Sequence, residues 1–322
     1  MSRTGKLATG AIAGLLLTAT ACSSQGGAQN APGGSAGQDF TIARVTHEAP
    51  GSTFWDRVRT GADAAAEQLG VTLNYSNDPD SGEQATLVQN AIDSQVDGIA
   101  VTLANPDAVG PNLARAAEAG IPTVAFNSGM DVYQDHGALM FFGSDERLAG
   151  QSAGSRIAES GGGKAICVIH EAGNISLETR CTGVTESFPS TENLQVNGTD
   201  LPSVQQTIGA KLQEDPSITH VVTLDAGIAT AAVQAQEGAG TEAAIATFDL
   251  SPEVVQAIQA GDVEFSVDQQ PYVQGYLAVQ SLWLQLTNGN DIGGGQPVLT
   301  GPSFVDASNI DAIATFAENN TR

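Results

Sequence analysis

GIAVTLANPDAV, Gly98 to Val109, carries the fold in miniature. Gly98 to Leu103 is an unbroken run of small, apolar and β-branched residues, which predicts a strand covered on both faces. Asn105 then supplies a helix cap, and Pro106 the fixed φ of a first helical turn. The helix so begun ends at Ala119-Gly120, and Ile121-Pro122 opens the next strand, which runs to Phe126.

The same strand–helix rhythm extends to both sides. Upstream, Phe40 to Thr46 reads as a strand and Ser52 to Leu69 as a helix, closed by Gly70. Val71 to Tyr75 is the next strand, and Ser81 with Gln84 three residues on predicts a capping box. Downstream, strands are predicted at Ala138–Gly143, Ala165–His170, Leu194–Asn197, His220–Leu224, Ala244–Phe248 and Val263–Val267. A helix follows each, the last two at Pro252–Ala260 and Tyr272–Leu286. The tail is Gly/Pro-rich from Gly293 to Pro302, then helical near Ile310–Ala317. About ten such units exceed one comfortable sheet, so the pattern predicts two doubly wound, parallel-sheet α/β domains. No solenoid repeat is visible.

Composition narrows the partners. The chain of 322 residues carries 12 Lys+Arg against 36 Asp+Glu, a formal charge of −24, which repels nucleic acid and anionic lipid. Hydrophobic content is 41%, ordinary for a water-soluble domain.

The first residues read as an export signal. Arg3 and Lys6 precede a short apolar run, then small residues, then Cys22 and a loose Gly/Ala/Gln/Ser tract to about Gln38. LTATAC, Leu17 to Cys22, resembles a bacterial lipobox, although Thr18 to Ala21 is looser than the usual pattern. The expectation is a lipid anchor on Cys22 (residues 1–22 signal, 23–39 tether), on the outer face of a single-membrane bacterial cell. An ordinary signal peptide cut near Ala21 is the alternative. Cys167 and Cys181 remain. In an oxidising compartment they form a disulfide candidate, since adjacent βα elements bring Cα atoms within about 6 Å, with two buried thiols as the alternative.

In open α/β sheets, ligands bind beyond the carboxyl ends of the strands. The residues there are His47, Asn105, Asn127-Ser128, Glu171, Asp225, Asp249 and Asp268-Gln269-Gln270. Each alone reads as a cap or a solvated loop residue. Together they offer side chains that bond two hydroxyls apiece, which suits a neutral polyhydroxylated ligand. Phe54-Trp55 beside His47 would cover an apolar C–H face, whereas Trp283 in SLWLQL reads as core.

At these residues the chain resembles the type I periplasmic sugar-binding proteins, the ribose/galactose-type receptors of ABC importers. The resemblance runs from Phe40 to the C-terminus through GSTFWDRVRTGADAAAEQLG, AGIPTVAFNS, FFGSDERLAG, LETRCTGV, HVVTLDAGIATAAV, IATFDLSPE and VDQQPYVQGYLAV. It implies a monomeric receptor that closes two lobes around a monosaccharide or polyol and presents it to an ABC permease, without cofactor or catalysis. The lobes would comprise residues 40–144 with 271–299, and 145–270 with 300–322. The contacts it implies are Phe54, Trp55, Asn127, Ser128, Arg180, Asp225, Asp249 and Gln269, with His47 in a longer first loop. Asn127-Ser128 replaces the family's Asp-Arg pair, removing a bidentate clamp, so a cyclitol, polyol or other aldose fits as well as ribose. A signalling receptor of the same fold is the alternative.

Other chemistry is excluded by context. Gly150-Gln151-Ser152-Ala153-Gly154 matches G-x-S-x-G, but Ser152 falls inside a predicted helix rather than at a strand-to-helix turn, against a hydrolase. Gly161–Lys164 lacks the Ser/Thr of a phosphate loop. His47, His136, His170 and His220 show no metal-ligand spacing, so no metal is expected. Asn174 and Asn197 head glycosylation sequons, which read as chance matches.

Overall fold

Near-continuous apolar strands need cover on both faces, and the computed structural model, which describes residues 39–322, shows how they get it. Cys22 and the expected leader and tether lie outside the described residues, apart from Asp39. The first half runs β1 (Thr41–Thr46), α1 (Thr53–Leu69), β2 (Thr72–Asn77), α2 (Ser81–Asp93), β3 (Gly98–Val101), α3 (Pro106–Glu118), β4 (Thr123–Asn127) and β5 (Met140–Ser144). The second half runs α4 (Glu146–Ser160), β6 (Lys164–Ile169), α5 (Ile175–Ser187), β7 (Thr191–Gln195), α6 (Leu201–Glu214), β8 (Ile218–Thr223), α7 (Ala226–Ala239), β9 (Ala244–Phe248), α8 (Pro252–Ala260) and β10 (Phe265–Asp268). Then come α9 (Pro271–Asn288), β11 (Val298–Gly301), β12 (Ser303–Asp306) and α10 (Ile310–Glu318).

These strands make two six-stranded sheets, ordered β2-β1-β3-β4-β5-β11 and β7-β6-β8-β9-β10-β12. All pairings are parallel except β12 against β10. The chain passes between the sheets after Ser144, after Asp268 and after Gly301. This is the type I periplasmic-binding-protein architecture: two α/β lobes joined by connecting strands. Within the first sheet, Phe126 and Phe142 pack on one side, while their neighbours Ala125 and Phe141 pack on the other. That alternation is the period of a strand buried on both faces.

Glycines set two close helix pairs. A Cβ on Gly61 would lie 2.0 Å from the Tyr272 carbonyl oxygen, and one on Gly275 2.0 Å from that of Val58, so α1 and α9 touch backbone to backbone. In the second lobe, Gly150 and Gly183 do the same for α4 and α5: their added Cβ atoms would meet the Arg180 and Arg147 carbonyl oxygens at 2.0 and 2.3 Å. Gly150 and Gly154 of the G-x-S-x-G match are thus packing residues. Ser152 lies within α4 and donates to the Leu148 carbonyl at 2.7 Å.

Cys167 of β6 and Cys181 of α5 are disulfide-bonded, with Cα atoms 5.7 Å apart. Three readings need correction. The cap of α2 is Asp80, which accepts from Gly82 N and Glu83 N, not Ser81; Gln84 instead turns inward and donates to the Thr102 carbonyl at 2.9 Å. The edge strand β7 starts earlier than its most apolar residues, at Thr191. The Gly/Pro-rich tail holds β11 and is followed by β12, each fixed by pairing with a distant strand.

Candidate functional site

The strand order reverses between β1 and β3 in one sheet and between β6 and β8 in the other, which is where such sheets open a crevice. Loops from the two lobes meet there around a small polar cavity. Nine of the ten expected contacts line it: His47, Phe54, Trp55, Asn127, Ser128, Arg180, Asp225, Asp249 and Gln269. Asn105 does not. It caps α3 by accepting from Ala108 N, and it lines a neighbouring cavity that also borders Asp80 and Asn197.

Backbone geometry turns two of these side chains. Asn127 ends β4 and Asp249 follows β9, the corresponding strand of the other lobe; both take left-handed φ, +63° and +64°. Asn and Asp tolerate that region better than most residues. Both are buried, at 7% and 4% exposure, so their polar atoms must be satisfied by neighbours or ligand. Ser128 Oγ donates to Asn127 Oδ1 at 2.9 Å, and Gln269 Nε2 donates to Asp249 Oδ1 at 2.8 Å. Burial, reinforced by the Asp225 charge and opposed by Arg180, pushes the Asp249 carboxyl up to about 7. Asp225 caps α7, accepting from Gly227 N and Ile228 N.

Arg180 is the cavity's cation. It sits inside α5 rather than at its opening, at 3% exposure, with its ring-facing side over Phe248 at 4.9 Å. Nε and Nη2 form a two-toothed pair with Glu146, the first residue of α4; the Nη2–Oε1 distance is 3.0 Å. Burial works against the guanidinium charge, but the Glu146 pair more than offsets it and raises the pKa above its ordinary value. Glu146 itself does not line the cavity.

His47 closes the other wall. Its ring meets Trp55 edge-on at 5.0 Å, and Trp55 meets Phe54 the same way at 5.0 Å. Trp55 is therefore both core and wall, at 4% exposure. Thr102 Oγ1 accepts from His47 N–H and from Gln84 Nε2, which occupies both its lone pairs. It also meets His47 Nδ1 at 2.7 Å, and the ring's Nε2 faces the opposite lobe, where Asn174 Nδ2 lies 3.4 Å away. Glu171 Oε2 lies 3.7 Å from His47 Nε2. Burial lowers the His47 pKa and so favours the neutral ring. Glu171 is opposed by burial, yet His47, His170 and Asn174 together hold its carboxyl below the ordinary range.

Contacts between the lobes surround the cavity. Ile175 N–H, a free donor of the first turn of α5, reaches the Ala104 carbonyl at 3.0 Å. Asn127 Nδ2 donates to Gln269 Oε1 at 3.4 Å. Ser52, His170, Asn174, Ser176, Leu177 and Leu224 complete the lining and were not foreseen. Asn174 had a legible signal: Asn after a strand and before a helical run is a cap, and it accepts from Ser176 N. Its sequon concealed that. Glu146 gave none beyond the common placing of an acid in a first helical turn. Among the described residues, no group of three His, Cys, Asp or Glu is placed to hold a metal.

Two doubly wound lobes with a polar crevice at their strand ends bring directional groups from both lobes around one cavity. The family model of the periplasmic binding protein domain matches residues 42–291, and the chain belongs to that family, whose members are extracytoplasmic and non-catalytic. It is 53% identical to a carbohydrate transporter of Acidothermus cellulolyticus 11B, crystallised in complex with myo-inositol; the TM-score is 0.87, with 88% of this chain and 100% of that one covered. It is 25% identical over 290 residues to the D-allose-binding periplasmic protein of Escherichia coli K12, covering 84% of this chain and 88% of that one. To the xylose/arabinose-binding protein of Sulfolobus acidocaldarius it is 26% identical over 72% of its length, and the match spans 62% of that relative.

Proposed function

We propose that the chain is the substrate-binding protein of an ABC transporter, capturing a neutral monosaccharide or polyol between its lobes and delivering it to the permease. The observation that carries this is the cavity itself. Directional acceptors and donors enter it from both lobes, and Trp55 forms an aromatic wall beside them. Asp225 and Asp249 accept ligand hydroxyls, while Asn127 and Gln269 both give and receive. Arg180 donates, and Trp55 covers a C–H face. Myo-inositol or a close cyclitol is the ligand to try first. The relative crystallised with it supports that choice, as does Asn127-Ser128 in place of a bidentate Asp-Arg clamp.

Closure follows from differential binding. A ligand that touches both walls favours the arrangement in which Ile175 meets Ala104 and Asn127 meets Gln269. The permease then reads the closed surface. A lipid on Cys22, with the tract to Asp39 as a leash, would keep the receptor beside it. A thermal-shift screen of aldoses, polyols and cyclitols, followed by calorimetry, tests the reading. A raised Tm with myo-inositol or another neutral ring supports it. A chain that no neutral polyhydroxylated compound stabilises would refute it.

A further inference from the structure

We propose that Glu146, which does not line the cavity, fixes the charge class of the ligand: by pairing with Arg180 it makes the pocket select uncharged rings and reject sugar acids. The inference rests on the functional reading above and deepens it.

A buried arginine at a binding wall ordinarily recruits a carboxylate or phosphate, because its planar fork matches them and nothing else offsets its charge. Here the fork is already occupied. Glu146 takes Nε and Nη2 in the two-toothed mode a ligand carboxylate would use, leaving Nη1, which donates one N–H to the Leu224 carbonyl and keeps the other. The Leu224 contact, at 3.5 Å, lies at the cavity wall. Arg180 is thus a directional donor within a pair of no net charge. Both partners are buried, at 3% and 6% exposure, so solvent screens the pair little.

The rest of the lining points the same way. Asp225, Asp249 and Glu171 also face the cavity, and among the described residues no second arginine or lysine does. An anionic ligand would meet the Asp225 and Glu171 carboxylates, whereas hydroxyls find acceptors. The backbone contact of Gly150 and Gly183 holds α4 against α5, so Glu146 is fixed in reach of Arg180.

The test uses the full chain and calorimetry with two probes, myo-inositol and D-glucuronate, on wild type, Glu146→Gln and Glu146→Gln/Arg180→Gln, with Tm recorded for each. Wild type should bind myo-inositol and leave glucuronate unbound. Glu146→Gln frees the guanidinium charge and should shift the affinity ratio toward glucuronate by about tenfold or more. The double variant should lose that gain. Wild type binding glucuronate as tightly as myo-inositol overturns the proposal without any variant. So does a Glu146→Gln protein that loses both ligands in proportion to a fallen Tm, the mark of a purely structural role. Wild type that binds no neutral ring in the wider screen overturns the functional reading, and this proposal with it.

Discussion

Gln269 donates its side-chain amide to Asp249 at 2.8 Å, and the two lie on either side of the passage from the second lobe to the first. The same side chain accepts from Asn127 at 3.4 Å and from Gln274 Nε2 at 3.1 Å. One amide therefore joins both walls of the cavity to the hinge. Gln269→Ala should weaken binding of the cognate ring about 10- to 100-fold, the loss of one or two buried hydrogen bonds. Calorimetry on the variant checks this, and unchanged affinity would remove Gln269 from the site.

Asp249 should make the chain's stability depend on pH. Its carboxyl is raised from 3.8 to about 7 by burial, so between those values the folded chain holds a proton that the unfolded chain has released. Stability must then fall as pH rises through that window. The full effect is on the order of 4 kcal/mol. Asp249→Asn should flatten this dependence, so that the variant gains on wild type between pH 5 and pH 8. Tm against pH for the two ligand-free proteins measures it. Parallel curves would show that the carboxyl is ionised when folded.

How much of this was legible depended on whether a feature is local. The central strands of both sheets announced themselves because they are runs buried on two faces, as in GIAVTL and HVVTL. The polar residues at their ends followed from topology: His47, Asn127, Ser128, Glu171, Asp225, Asp249 and Gln269 line one cavity, whereas Asn105, Asp268 and Gln270 do not. What escaped depends on partners far away in sequence. Glu146 meets Arg180 across 34 residues, and β11 is a strand only because β5 lies beside it. Asp80 and Ser81 are both good caps, and the turn chose the earlier one. Gln84 has the spacing of a capping-box partner, and nothing local reveals Thr102 as its true neighbour.

The Cys167–Cys181 bridge ties α5, and hence Arg180, to β6 across a separation of 14 residues. Closing a loop of that size in the unfolded chain is worth about 3 kcal/mol. Reduction, or the Cys167→Ala/Cys181→Ala pair, should lower the urea midpoint accordingly. Well below the transition, binding should survive with at most a few-fold loss, because Glu146 still holds Arg180. Urea titrations with and without reductant, paired with calorimetry, separate the two effects. An unmoved midpoint would mean that the bridge constrains nothing.

The G-x-S-x-G stretch gives the sharpest contrast between a catalytic and a packing reading. If Ser152 were a nucleophile, Ser152→Ala would matter and its glycines would serve a turn. Instead its hydroxyl is spent on the Leu148 carbonyl at 2.7 Å on an exposed helix face. Ser152→Ala should change stability by no more than about 0.5 kcal/mol and leave binding intact. Gly150→Ala should behave otherwise. Its new methyl would lie 2.0 Å from the Arg180 carbonyl oxygen, so α4 and α5 must part. A cost of about 2–3 kcal/mol follows from forced overpacking. The Glu146–Arg180 pair spans the same seam, so affinity should fall together with stability. Denaturant titration and calorimetry on both variants decide it: a sensitive Ser152 with a tolerant Gly150 would reverse the assignment.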